Sequence, residues 1–235
     1  MPIKLGAIFV GLSVLGTTLP LLGDAGPTAQ VQTTNTERVN FAPGGVIHVN
    51  GSFGDLNVEG WERPEVEVTI VKSSDNYYQP KDQQKKDQAE GRLKAVQITT
   101  EHGTAAELTI STAPSGGKRH VTAGYQIHVP RSSSLVIHHR VGFVLVSNVT
   151  GDIEATGRRG DIVLMLPGKG VYAIDAKSKL GTVSSDFAGD IHVQHLVGER
   201  FAATGQTPAR RIYLRMGFGG ITIKALPPES EPPAR

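Results

Sequence analysis

Between Gly142 and Gly198 the apolar side chains come in short alternating runs, each opened by a glycine. The opening glycines are Gly142, Gly151, Gly160, Gly170, Gly181, Gly189 and Gly198, at successive separations of 9, 9, 10, 11, 8 and 9 residues. Stops that close together leave no room for a helix and predict one short strand and one corner per repeat. In Gly-Asp-Ile-Glu-Ala-Thr, Ile153 and Ala155 share one face while Glu154 and Thr156 share the other. In Gly-Asp-Ile-His-Val-Gln, Ile191 and Val193 oppose His192 and Gln194 in the same way. That period of two is the mark of a half-buried strand. The run from Ile162 to Leu166 is apolar at every position, which predicts a central strand covered on both faces. Glycine takes positive φ without steric cost and a following Asp can bond backbone groups. The pairs Gly54 and Asp55, Gly151 and Asp152, Gly160 and Asp161, and Gly189 and Asp190 are therefore expected structural corners.

The same grammar begins earlier. Pro43-Gly44-Gly45 leads into Val46-Ile-His-Val-Asn, Gly54-Asp55 into Leu56-Asn-Val-Glu, and Pro64 into a strand alternating Val66, Val68 and Ile70 with Glu65, Glu67 and Thr69. Residues 26–37 read as a disordered or extended lead-in, and 226–235 as an unpacked proline-rich tail. Residues 73–91 carry charges and amides with almost no aliphatic side chain, which predicts a polar insertion. It is either a short exposed helix from Pro80 through Glu90 or an irregular excursion, since the apolar stripe that docks a helix is missing. Further strands are expected over 93–99, 107–111, 120–129 and 211–215, with 201–208 a loop. The expectation is a single all-β domain over 38–225. It is a β-solenoid or roll-like stack of short strands, with a two-sheet antiparallel β-sandwich as the alternative, because spacings of 8 to 11 admit both arcs and hairpins.

Composition narrows the address more than the activity. Twenty-four Lys and Arg stand against 22 Asp and Glu, a net charge of +2 that argues against a nucleic-acid binder. With no cysteine there is no disulfide, thiolate metal site, cysteine nucleophile or lipidated cysteine. Residues 1–25 read as a cleaved export signal: Lys4, an apolar stretch from Leu5 to about Leu22, then Gly23 and Ala25. An uncleaved anchor is the alternative, weakened by Gly11, Gly16 and Pro20. The expected location is the periplasm, cell envelope or extracellular space.

The stretches Phe41-Ala-Pro-Gly-Gly-Val-Ile-His-Val, Gly54-Asp-Leu-Asn-Val-Glu-Gly-Trp-Glu-Arg-Pro-Glu-Val-Glu-Val and Ile127-His-Val-Pro-Arg-Ser-Ser-Ser-Leu precede the repeated Gly-Asp-Ile units. Together, over about residues 38–224, they resemble the bacterial family of "putative adhesins", exported β-strand-repeat envelope proteins. The resemblance implies a β-solenoid or roll-like envelope protein and supplies no catalytic residues. The 73–91 insertion and the proline-rich tail depart from its pattern.

Candidate chemistry is sparse. His138-His139 and His192-x-x-His195 invite a metal, but neighbours and i,i+3 pairs on a regular strand point to opposite faces. No nucleophile-elbow motif occurs in the mature chain, and Asp152, Asp161 and Asp190 serve corners better than a glycosidase pair. The expectation is therefore no enzyme, catalytic residue, cofactor or metal. Weak surface-binding candidates are Trp61, which could stack on a sugar, and Arg158 and Arg159, which could touch an anionic glycan or phosphate group. Three roles fit: an adhesin-like protein presenting a rigid surface to an envelope protein or glycan, a carbohydrate-binding or carbohydrate-processing β-helix, or an envelope stress or sensor accessory.

Overall fold

Among the described residues alternating burial is realised as strand in all elements but one helix. The computed structural model describes residues 28–104, 106–113, 121–168, 170–194, 197–204 and 209–227. The expected export signal, the first residues of the lead-in, the loop 114–117, His120, His195 and the tail beyond 227 lie outside the described residues. In chain order the first strands are β1 (Ala29–Asn40), β2 (Val46–Gly51), β3 (Asp55–Trp61) and β4 (Glu65–Tyr78), followed by a helix, α1 (Gln83–Ala95). Then come β5 (Gln97–Thr104), β6 (Glu107–Ala113), β7 (Val121–Pro130), β8 (Ser134–Val141) and β9 (Val144–Ser147). Next are β10 (Ile153–Arg159), β11 (Ile162–Pro167), β12 (Tyr172–Leu180) and β13 (Val183–Ser185). The last are β14 (Asp190–Gln194), β15 (Gly198–Ala203), β16 (Arg210–Phe218) and β17 (Ile221–Leu226).

These strands form two open sheets, one of eight strands in the order β1-β4-β7-β3-β9-β11-β17-β13 and one of nine in the order β14-β15-β12-β16-β10-β8-β2-β6-β5. Their inner faces share a core that includes Ile47, Leu56, Ile137, Val146, Ile153, Ile162, Leu214 and Ile223. From β6 to β14 the chain alternates between the two sheets, as it does at β2/β3 and β16/β17, so through these circuits a neighbour in the same sheet runs in the same direction. Strands β2, β8, β10, β16 and β12 of the larger sheet accordingly pair in parallel, as do β3, β9, β11, β17 and β13 of the smaller one. The two-sheet sandwich is thus what forms, with mixed rather than antiparallel sheets. The antiparallel pairs lie toward the outer ends: β1-β4-β7, β5-β6 and β12-β15-β14. Nor does stacking follow the one-directional winding of a simple solenoid: the pair β2/β3 lies between β6/β7 and β8/β9, and β16/β17 lies between β10/β11 and β12/β13.

Several expectations are corrected. Residues 29–37, expected to be disordered or extended, are extended and belong to β1, an edge strand that pairs with β4 from Ala29 onward. The polar insertion is partly strand, since β4 continues to Tyr78, and then becomes α1, which buries only Ala89 and Leu93. Residues 201–203 belong to β15, with the Phe201 side chain buried. In β11, Val163 and Met165 are half-buried on the outer face, so that strand is interior to its sheet but covered on one side alone. Finally, Ile153 and Ile162 are each 1% exposed, whereas Ile191, in the third Gly-Asp-Ile copy, is 55% exposed. The larger sheet carries β15 and β14 past the short last strand, β13, of the smaller sheet, so nothing lies opposite Ile191.

Candidate functional site

Five circuits turn from the larger sheet to the smaller one through a glycine of positive φ: Gly54, Gly142, Gly160, Gly219 and Gly181. These glycines stack into a spine. A Cβ on Gly142 would lie 1.9 Å from the carbonyl oxygen of Gly54, and one on Gly160 would lie 2.0 Å from that of Gly142. Four of the glycine N–H groups donate to the last strand residue of the next circuit, Gly54 to Val141 (3.0 Å), Gly142 to Arg159 (3.0 Å), Gly160 to Phe218 (3.0 Å) and Gly219 to Leu180 (2.9 Å), and that of Gly181 donates to Val197 (3.1 Å) in the turn before β15. The following Asp reinforces the spine, because Asp55 Oδ1 accepts the Phe143 N–H at 3.0 Å and Asp161 Oδ1 that of Gly220 at 2.6 Å. At the opposite corner Asp152 Oδ1 accepts the N–H of Arg211 at 2.8 Å. The carboxylates therefore tie successive circuits together instead of closing their own turns.

Just inside the spine the register places Gly51, His139, Gly157, Met216 and Ser178 side by side. Large and small alternate because the space is shared: a Cβ on Gly51 would sit 2.1 Å from His139 Nδ1, and one on Gly157 would sit 2.5 Å from the Met216 methyl. His139 Nε2–H donates to the Gly54 carbonyl at 2.7 Å, as Ser178 Oγ–H does to that of Gly219 at 2.7 Å. Burial pushes the His139 pKa below 6.5 despite its contacts with the Gly54 and Val141 carbonyls and Asp55, so the ring is neutral near pH 7.

The other face of the same strands carries positive charge. An open concavity of about 560 Å³ is lined by Arg140, Arg158, Lys177, Lys179 and Arg215, together with His138 and Gly217. Its shape follows from register, since Arg140, Arg158, Gly217 and Lys179 occupy one outward row and the glycine leaves a notch in it. Burial alone would raise the Asp175 pKa, but hydrogen bonds from Arg215 and Arg200 outweigh it and hold the carboxyl below its usual range. Both arginines bind it in two-pronged fashion, Arg215 Nη2 at 2.7 Å and Arg200 Nε at 2.9 Å being the shortest contacts, and Arg215 also stacks 3.8 Å from the Tyr213 ring centre. Among the described residues Arg140, Arg158, Lys177 and Lys179 have no carboxylate partner. Four uncompensated cations on a rigid sheet face form a field that attracts anions.

Arg158 thus lies in the concavity, whereas Arg159 turns onto the corner, its guanidinium 5.9 Å from the Phe218 ring centre. Trp61 is at the far end of β3, away from both. Its ring stacks on His128 at 4.9 Å, the Arg63 guanidinium lies 4.9 Å from its centre, and its N–H donates to the Glu65 carbonyl at 2.8 Å. The indole is thereby used within the protein. Gly189 and Asp190 belong to the β14-β15 hairpin and take no part in the spine. His138 is exposed and 2.7 Å from Thr156 Oγ1, while His139 is buried, so the adjacent pair does point to opposite faces. Among the described residues no group of three His, Asp or Glu converges on a common point. Lys177, Lys179 and Arg140 are not legible as a group in the sequence because they come from two strands, β12 and β8, and Arg140 lies 37 residues before Lys177. The signal that could have found them is the outward Lys-x-Lys of β12 together with the outward Arg one residue before the end of β8 and of β10.

No protein-family model matches the chain, and no curated protein matches it. Four solved structures do. They are described as adhesins or cell adhesion proteins, each with the qualifier "putative". One, from Clostridium sporogenes, is 16% identical, with 83% of this chain and 100% of that chain covered and a TM-score of 0.47. Another, from Parabacteroides distasonis, is 12% identical over 82% of this chain and 65% of that one, at a TM-score of 0.30. A third, from Bacteroides fragilis, is 11% identical over 81% and 97%, at 0.28. No helix among the described residues is long and apolar enough to cross a membrane.

Proposed function

We propose that this chain is an exported, non-enzymatic, adhesin-like protein of the cell envelope, and that it holds an anionic macromolecular surface against the outer face of its nine-stranded sheet. The observation that carries this reading is the concavity in which Arg140, Arg158, Lys177 and Lys179 stand without carboxylate partners among the described residues. The parallel strands and the glycine spine hold the backbone that carries these cations, so binding orders their side chains but no loop. The carbohydrate reading that relied on stacking is not favoured, since His128 and Arg63 engage the Trp61 ring. The test is binding to heparin, a soluble polyanion, across a salt series. Simultaneous Arg140→Gln, Arg158→Gln and Lys179→Gln replacement is expected to weaken binding about tenfold or more at low salt and to flatten the salt dependence. Equal binding by the wild type and the triple variant, with both folded, would overturn the reading.

A further inference from the structure

The residues whose carbonyls receive the glycine N–H groups form a second feature of the same corner. Val141, Arg159, Phe218 and Leu180 end four neighbouring strands and Val197, in the turn before β15, follows them, a ridge of roughly 19 Å at the usual strand spacing. Its four apolar members are exposed, Phe218 by 50% and Val197 by 58%. Neither strand pairing nor core packing requires apolar side chains there, and contiguous exposed apolar surface marks an interaction site. The ridge carbonyls are already taken by the spine, so the corner cannot accept an added strand through them. One residue back along each strand lies the basic row with Arg140, Arg158 and Lys179. On the other side of the spine, Asp55 and Asp161 are turned onto backbone N–H groups.

We propose that this corner docks on an anionic lipid bilayer, the ridge entering the interface and the neighbouring cations meeting the head groups. The inference rests on the anion-binding reading above and assigns the anion to lipid. An exposed apolar edge flanked by Lys and Arg matches the order of a bilayer, acyl chains beside charged head groups, whereas a soluble polyanion offers the ridge nothing. Arg159, within the ridge, can reach outward along Phe218 while its charge stays at head-group level.

The test is co-sedimentation of the full chain with phosphatidylcholine vesicles, with and without about one-third phosphatidylglycerol, alongside heparin binding. The wild type is expected to partition onto the anionic vesicles at least about tenfold better than onto neutral ones. Phe218→Ser combined with Leu180→Ser should cut vesicle partition about tenfold while leaving heparin binding within twofold. Arg158→Gln with Lys179→Gln should weaken both. In a Phe218→Trp variant, lipids brominated on their acyl chains should quench the new indole. Absence of vesicle binding with heparin binding intact would overturn the lipid assignment and leave the anion-binding reading standing. So would an unchanged partition of the Phe218→Ser, Leu180→Ser variant. Absence of both would overturn both readings.

Discussion

Gly160 shows how much a single side chain can be excluded by its surroundings. Its φ is +127°, and a Cβ there would approach the Gly142 carbonyl to 2.0 Å. Gly160→Ala therefore meets both backbone strain and a backbone clash, and is expected to cost more than about 3 kcal/mol, read as a loss of the folded signal in urea. His139, one layer in, ties stability to pH. Its folded pKa lies below 6.5, so under mildly acidic conditions the unfolded chain binds the extra proton and the folded one does not. Stability is expected to hold above about pH 6.5 and to fall as pH drops from there toward the folded pKa, by at most about 1.4 kcal/mol per pH unit for this one proton. His139→Met should lack that component of the slope in melting curves from pH 7.5 to 5. Asp175 acts in the opposite sense of charge: its folded pKa is depressed, so its contribution is present above about pH 3.8 and lost as pH falls through the folded value. Asp175→Asn should cost about 1 kcal/mol at pH 7 and nothing below that acid range, by the same measurement. The glycine-aspartate corners were legible as corners from local chemistry. That Asp55, Asp152 and Asp161 bond the next circuit was not, because their acceptor sites are filled by residues 59 to 88 positions away.

Among the elements, α1 was the hardest to read. Its sequence lacks an apolar stripe, and the helix docks with Leu93 alone deep in a small second cluster with Val96 and Val121. Past Ile70, the last β4 residue in the main core, the inward face of β4 meets α1 and the residue after it instead of the opposite sheet, and Lys72 lies there with its ammonium donating to the Val96 carbonyl at 2.9 Å. Burial lowers the Lys72 pKa, which means that keeping the charge there opposes folding at neutral pH. Lys72→Met is expected to raise stability by about 1 kcal/mol, and Leu93→Ser to lower it by about 2 kcal/mol with loss of the helical hydrogen-exchange protection. Strand positions, by contrast, were plain wherever alternation met a facing sheet. Ile153, Ala155, Val66 and Val68 are all buried as the period of two required.

At the scale of the whole molecule, stability depends on the order of the circuits. Because β16/β17 is inserted between β10/β11 and β12/β13, the last strands of the chain are interior parts of both sheets. Ending the chain after Thr204 is therefore expected to abolish the folded state, seen as loss of dispersed amide signals, whereas a sequentially wound stack would lose only its final layer. The basic concavity and the apolar ridge are products of the same order. Arg140, Arg158 and Lys179 share a row, and Val141, Phe218 and Leu180 share an edge, because β16 lies between β10 and β12.

Strand spacing in the repeat region and the place of most corners were decided by the amino-acid sequence alone, since both depend on the steric freedom of glycine and on side chains alternating over a few residues. Only the tertiary structure decided which strands became neighbours and which apolar faces found a partner. Ile153 and Ile191 open the same tripeptide pattern, yet one is enclosed and the other faces solvent, because enclosure requires a second sheet opposite and that sheet ends at β13.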